Sequence, residues 1–186
     1  GKPGRALASM GIYVFNARFL YEQLVRDADT KSSTHDFGHD IIPYLIDRYR
    51  VYAHHFADSC VSCENTEPYW RDVGTIDAYW AANMEMVAVV PDLDLYDKTW
   101  PIWTYQEQLP PAKFVFNEEG RRGVAIDSMV SGGDIISGAY VFHSVLFSDV
   151  RVGERSEVTD SVVLSGCRIG KDVKLNKVVL DNRCEI

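Results

Sequence analysis

The last third of the chain repeats itself, and no other feature restricts the fold as much. Ser144-Val-Leu-Phe-Ser-Asp-Val-Arg-Val-Gly153 lines up with Ser161-Val-Val-Leu-Ser-Gly-Cys-Arg-Ile-Gly170. Lys177-Val-Val-Leu-Asp-Asn-Arg-Cys-Glu-Ile186 lines up with both, and Ser128-Met-Val-Ser-Gly-Gly-Asp-Ile-Ile-Ser-Gly138 is a looser earlier copy. The copies start 16, 17 and 16 residues apart, and inside them aliphatic residues recur about every six positions, as at Val152 and Val158 or Ile169 and Leu175. A period near 17 is too short for helical repeat units of about 33 or 34 residues. It matches one coil of three short strands, which buries its aliphatics only by stacking on the next coil. An ordinary β-sandwich does not explain the regular spacing.

Hexapeptide repeats of this kind resemble left-handed parallel β-helices, and the handedness is taken from that resemblance. The part before them has a different texture. Leu7 to Phe15 reads as a strand, Asn16 as the N-cap of a helix with Leu20, Leu24, Val25 and Ala28 on one stripe, and His39 to Tyr49 as a second helix. Val51 to Ala57 reads as another strand. Thr75 can cap a third helix whose stripe is Ile76, Tyr79, Trp80, Met84 and Val87, with Pro91 as its stop. Strands alternating with helices indicate a layered α/β domain. Between Pro91 and Pro111 prolines and tryptophans replace any sustained period, which reads as a crossing linker that packs on something.

The bulk numbers exclude several classes. With 186 residues and 46% hydrophobic content the chain can bury a real core, in one large or two small domains. A net charge of −8, with 19 scattered basic residues, argues against a nucleic-acid surface. No run of about 18 apolar residues exists to span a membrane, and no secretory leader is expected. A start at Gly1 and a stop at Ile186 read as cut ends, so a fragment is expected. Cys60 and Cys63 form a single C-x-x-C near His54 and His55, and Cys167 and Cys184 stand alone. A structural zinc site needs a second pair, so reduced, incidental thiols of a cytoplasmic protein are the expectation.

Three clusters can carry chemistry. In Glu67-Pro-Tyr-Trp-Arg-Asp-Val-Gly-Thr75, Asp72 precedes a helix start, where it is either a hard oxygen ligand for Mg²⁺ beside a phosphate or a carboxylate favoured by the helix dipole. His35-Asp-Phe-Gly38 is either a sugar-binding loop, with Asp36 accepting hydroxyl hydrogen bonds and Phe37 stacking, or a capping loop for the next helix. Its D-F-G triplet has no kinase catalytic loop or Gly-rich loop to accompany it. Ser9, Gly11 and Tyr13 share a strand face, either as a sugar-phosphate floor or as a half-buried strand with polar edges. In the repeat, His143 has no second catalytic partner in sequence to make it an acyltransferase base. Ser131-Gly-Gly133 and Ser137-Gly138 read as tight corners, with a backbone nest for a small anion as the alternative.

Five ordered motifs together resemble bacterial ADP-glucose pyrophosphorylases (glucose-1-phosphate adenylyltransferases). They are Ala8-Ser-Met-Gly-Ile-Tyr-Val-Phe15, His35-Asp-Phe-Gly38, Glu67-Pro-Tyr-Trp-Arg-Asp-Val-Gly-Thr75, Leu109-Pro-Pro-Ala-Lys-Phe114 and Val130-Ser-Gly-Gly133. The resemblance implies an α/β fold plus β: residues 1–93 as the C-terminal part of a Rossmann-like nucleotidyltransferase catalytic domain, 94–110 as linker, and 111–186 as a truncated left-handed β-helix. It implies attack by glucose 1-phosphate on the α-phosphorus of ATP with Mg²⁺ present, giving ADP-glucose for glycogen synthesis and pyrophosphate. By position, Ser9, Tyr13, Asp36, Phe37 and Trp70 correspond to the glucose 1-phosphate pocket, and Asp72 to the second metal-binding, catalytic aspartate. Ser131, Gly132 and Asn182 fall in the region of the effector site for allosteric metabolites, where an arginine is expected in place of Asn182.

The resemblance also places the Gly-rich nucleotide loop, the first metal aspartate and the F-x-E-K-P motif upstream of Gly1, so the isolated chain is expected to be inactive. A cytoplasmic homotetramer is the implied assembly. A sister enzyme using another nucleoside triphosphate, and a non-catalytic regulatory subunit, stand as alternatives.

Overall fold

A computed structural model describes residues 8–59, 68–99 and 101–186. The chain separates into two compact units, Gly1–Ser59 and Cys60–Ile186.

The first unit is helical over its described residues. Helix α1 (Ala17–Ala28) starts at Asn16, whose side chain accepts the Phe19 amide at 3.4 Å, as the sequence predicts. Its inward stripe is not the predicted one. Gln23 and Asp27 are buried, whereas Leu24, Val25 and Ala28 are exposed. Asp27 has specific partners: it accepts from Ser33 Oγ at 2.8 Å and pairs with His35 Nδ1 at 3.0 Å. Arg26 lies 3.5 Å above the Tyr44 ring. The predicted second helix is present but broken, as a π-helical turn Phe37–Ile41 followed by α2 (Ile42–Ile46). Pro43 falls in the first turn of α2, where its missing N–H costs nothing. The strands expected over Leu7–Phe15 and Val51–Ala57 do not form among the described residues. A strand needs a neighbour to pair its backbone groups, and the side chains of Ile12 and Val14 are 73% and 97% exposed here.

In the second unit, α3 (Ile76–Glu85) starts at Thr75, whose hydroxyl accepts the Ala78 amide at 3.2 Å. Twelve short strands then build a three-sided parallel solenoid. They are β1 (Lys113–Val115), β2 (Val124–Ile126), β3 (Met129–Val130), β4 (Ile135–Ser137), β5 (Tyr140–Phe142), β6 (Val145–Leu146), β7 (Arg151–Val152), β8 (Glu157–Thr159), β9 (Val162–Val163), β10 (Arg168–Ile169), β11 (Lys174–Asn176) and β12 (Val179–Leu180). The sheets run β1-β4-β7-β10, β2-β5-β8-β11 and β3-β6-β9-β12, every pair parallel. Stacking buries Ile136, Val141, Leu146, Val150, Val152, Val158 and Val163 in one core.

The polar consensus residues are explained by the corners. Ser128, Ser144 and Ser161 form a ladder. Each hydroxyl donates to the carbonyl two residues back, at 2.7, 2.8 and 2.6 Å. Each also accepts an amide of the next coil, from Ser144, Ser161 and Val178 at 3.1, 3.0 and 3.2 Å. A second column, Asp127, His143, Asp160 and Lys177, turns the chain with φ of 46°, 45°, 49° and 54°. The left-handed region is costly for residues other than glycine, Asn and Asp, and stacking holds it at every coil.

The pairing corrects one predicted spacing. Val162 pairs with Val179, so Ser161 stacks on Val178 and the last step is 17 residues, not the 16 that aligns it with Lys177. A one-residue slip would turn every side chain to the other face. The observed register keeps Leu175, Leu180 and Cys184 against the core.

The outer face of β6 and β9 carries α3. Met84 and Val87 are buried against Val145 and Val162, and Trp80 Nε1 donates to the Asp160 carbonyl at 2.7 Å. The predicted stripe is right for Tyr79, Trp80, Met84 and Val87, while Ile76 faces solvent. The helix ends at Glu85, six residues before the predicted stop at Pro91.

Candidate active site

Ser9, Gly11, Tyr13, Asp36 and Phe37, separated by up to 28 residues of sequence, line one open hollow of roughly 740 Å³ in the first unit. Phe15, Leu20, His35 and Gly38 complete its lining. Ser9 and Tyr13 meet through a turn, not a strand. Gly11 takes φ +74° with open space where a Cβ would stand, and its amide donates to Ser9 Oγ at 3.1 Å. That turn brings the Ser9 and Tyr13 hydroxyls to 2.7 Å. The Tyr13 and Phe37 rings stack at 5.9 Å and 20°, with Phe15 tilted against both.

Asp36 fills the capping role that the sequence left open, because its Oδ1 accepts the His39 amide at 2.7 Å. Its position in the hollow also leaves it available to ligand hydroxyls. Beneath it, Asp40 accepts from the Thr34 hydroxyl at 2.5 Å and from the Thr34 and Asp36 amides at 3.0 and 3.2 Å. The Thr34 hydrogen bond holds the Asp40 carboxyl well below the usual range. His35, at φ +62°, is fixed on Asp27, and that bond likewise depresses the Asp27 carboxyl. These two ionised carboxylates brace the loop. An aromatic platform, two coupled hydroxyls and a carboxylate suit a polyhydroxylated ligand. The lining has no Lys or Arg, so it suits the sugar end of a sugar phosphate, not the phosphate.

Trp70 and Asp72 belong to the second unit. Both are exposed, and Asp72 Oδ1 accepts the Gly74 amide at 2.9 Å, a local turn two residues ahead of the helix. Asp77, not Asp72, is the first-turn acid of α3. The described residues contain no cluster of three or more metal-ligating side chains. One exposed carboxylate still fits Mg²⁺, which keeps several waters and takes one or two protein carboxylates with substrate phosphates.

Sequence reasoning missed the residue between them. Arg71 Nε donates to both oxygens of Glu85 at 3.0 and 2.9 Å, and its Nη2 donates to Asp92 at 2.9 Å. Partners 14 and 21 residues away follow no local period, so nothing in the pattern signals them.

The remaining predicted positions lie in the solenoid. The Ser131 amide donates to Asp134 Oδ2 at 3.0 Å and to the Leu146 carbonyl at 3.2 Å, and the Gly133 amide donates to the Pro110 carbonyl at 2.7 Å. Two amides of the anion-nest alternative are thus used inside the fold, with Gly132 between them. Asn182 is exposed, its amide groups bonded to Asp181. His143 has the partner that the sequence hid, with Nδ1 2.7 Å from Asp160 Oδ1. Cys60, Cys63 and Glu67 lie outside the described residues.

Comparison with known proteins bears on both units. Residues 1–88 match the family described as nucleotidyl transferase, and residues 110–186 match the GlmU-like, C-terminal hexapeptide family. Across 99% of its length the chain is 66% identical to a glucose-1-phosphate adenylyltransferase of Methylobacillus flagellatus, covering 43% of that protein. Proteins of the same name from Dechloromonas aromatica and Nitrosospira multiformis are 63% and 60% identical over all of it, with 42% and 44% of their lengths covered. Along its whole length the chain is similar to glucose-1-phosphate adenylyltransferases. It spans less than half the length of these relatives. Within this chain, the predicted sugar residues Ser9, Tyr13, Asp36 and Phe37 share one hollow, and Trp70 and Asp72 share one loop. No described helix is long and apolar enough to cross a membrane.

Proposed function

We propose that this chain forms part of an enzyme that joins ATP and glucose 1-phosphate into ADP-glucose and pyrophosphate. The observation that carries the reading is the hollow of Ser9, Tyr13, Asp36 and Phe37, in a chain 66% identical to a glucose-1-phosphate adenylyltransferase. In it the glucose ring lies on the Tyr13–Phe37 stack, and the Ser9 and Tyr13 hydroxyls and Asp36 take up the sugar hydroxyls. An oxygen of the sugar phosphate forms the new bond to the α-phosphorus of ATP as the bond to the bridging oxygen of pyrophosphate breaks. The chain contributes placement and charge, and no covalent intermediate with a side chain is needed. Asp72 is the residue that would hold Mg²⁺, which when bound neutralises phosphate charge. Allosteric control by small metabolites and assembly as a cytoplasmic homotetramer complete the proposal for the intact protein.

Pyrophosphate release by the intact protein, given glucose 1-phosphate, Mg²⁺ and each of ATP, UTP, CTP and GTP in turn, tests it. Turnover selective for ATP is the expected result. Selectivity for another nucleotide would move the protein to a sister activity with the same sugar site. No turnover with any of the four, in a folded tetramer, would overturn the catalytic reading in favour of a regulatory subunit.

A further inference from the structure

We propose that Arg71 is the positioning residue of the loop that carries Asp72, and that the solenoid, acting through α3, is the base to which that loop is fixed. The inference rests on the reading of Asp72 as the metal ligand. The loop is held at both ends of a single helix. At its far end, the Thr75 hydroxyl caps the first turn of α3 by accepting the Ala78 amide at 3.2 Å. At its near end, Arg71 grips Glu85, the last residue of α3, with Nε at 3.0 and 2.9 Å from the two carboxylate oxygens, and reaches Asp92 at 2.9 Å. Its guanidinium also lies 4.5 Å over the Tyr69 ring, and the Tyr69 hydroxyl donates to Glu85 at 3.3 Å. Ten helical residues span about 15 Å, so Asp72 is strung between two fixed points on a rigid rod. The only further tie on its side chain among the described residues is the Gly74 amide at 2.9 Å.

The rod is itself seated on the coils. Met84 and Val87 are buried against Val145 and Val162. Trp80 donates to the Asp160 carbonyl at 2.7 Å and carries Lys177 at 4.8 Å over its ring, while the Asp160 carboxylate is fixed by His143 at 2.7 Å. A surface ion pair by itself adds little stability. Arg71 instead makes a branched contact with two carboxylates and a ring, and such geometry serves placement more than stability. Groups that orient a metal ligand without touching the metal typically alter metal affinity or rate 10- to 100-fold when removed.

The test uses the intact protein with Arg71→Met, Arg71→Lys and Trp80→Phe, the last removing the indole N–H while keeping an aromatic ring. Two readouts do not depend on turnover: amide hydrogen exchange over residues 69–75 in metal-free protein, and Mn²⁺ affinity titrated by electron paramagnetic resonance. Arg71→Met is expected to speed exchange in that segment and weaken Mn²⁺ about 10-fold or more, with the KM for nucleotide little changed. Arg71→Lys should recover part of both, because one ammonium can satisfy Glu85 or Asp92 but not the fork. Trp80→Phe should produce the same exchange pattern in smaller measure. Parental loop exchange and Mn²⁺ affinity in Arg71→Met would overturn the role of Arg71, and an unchanged loop in Trp80→Phe would overturn that of the solenoid. If the parent turns over no nucleotide, the functional reading fails, while the exchange data still decide whether Arg71 holds the loop.

Discussion

Replacing Asp134 with Asn perturbs the solenoid at its most costly polar group, and the sign of the effect depends on pH. Asp134 is 0% exposed. Its Oδ1 accepts the Val150 amide at 2.7 Å and its Oδ2 the Ser131 amide at 3.0 Å, tying one coil to the next. Burial pushes the carboxyl up from 3.8 to about 7, against the opposing pull of those two amides. Between these two values the folded chain keeps a proton that the unfolded chain has released. Its stability is therefore fully present below 3.8 and is lost as pH rises through about 7. A displacement of about three pH units corresponds to about 4 kcal/mol. Asn resembles the neutral acid in shape, keeps an acceptor for Val150, and has no ionisation to lose. The Ser131 amide retains the Leu146 carbonyl at 3.2 Å. Urea unfolding of both chains, followed by far-ultraviolet circular dichroism across this window, isolates the one group because all others cancel. The Asn variant should match the parent at the acid end and gain about 1.4 kcal/mol per pH unit through this window, approaching about 4 kcal/mol above neutrality. A variant less stable by a constant 1–3 kcal/mol at every pH would refute the reasoning. It would mean that the two amide bonds outweigh burial and that Asp134 is ionised in the fold.

Leu146, fully buried where the coils stack, should cost about 2–5 kcal/mol when replaced by Ala, measured by the same denaturation. Arg155 and Asp172 meet in two contacts of 2.6 Å, yet both side chains are half-exposed, so Asp172→Asn should change stability little, and less still in high salt, as the same denaturation will report. Tyr13→Phe removes a hydroxyl from the Ser9 contact while keeping the ring stack on Phe37. In the intact protein it should raise the KM for glucose 1-phosphate by roughly 10-fold and change kcat little, as steady-state kinetics will report.

The parts of the fold legible in sequence are those set by local chemistry or by a period. Asn16 and Thr75 announce their helices because a short side-chain oxygen satisfies an orphan amide within three residues. The solenoid is legible because each coil must repeat its aliphatics to meet its neighbour. The final register is not, since Lys177-Val-Val and Val178-Val-Leu both place aliphatics in the core positions. Hydrogen bonding decides between them, as the Val178 amide, not that of Lys177, takes the Ser161 hydroxyl. The α1 stripe is misread for a related reason. Hydrophobic periodicity assumes that apolar residues turn inward, but Asp27 is drawn in by Ser33 and His35, and Arg26 by the Tyr44 ring.

The candidate site shows the same division. Ser9 and Tyr13 are adjacent as strand alternation would have them, but the cause is the Gly11 turn, so the right juxtaposition is reached by the wrong backbone. His143 looks partnerless in sequence because its partner, Asp160, lies one coil and 17 residues away. Arg71, Glu85 and Asp92 are spread over 22 residues with no shared period, and only the folded helix joins them. Residues that would touch substrate sit in short motifs because a ligand must be met by a compact loop. Residues that aim those loops are recruited from wherever the packing passes. That asymmetry explains why the hollow can be named from sequence, whereas the solenoid's support of the Asp72 loop emerges only from the structure.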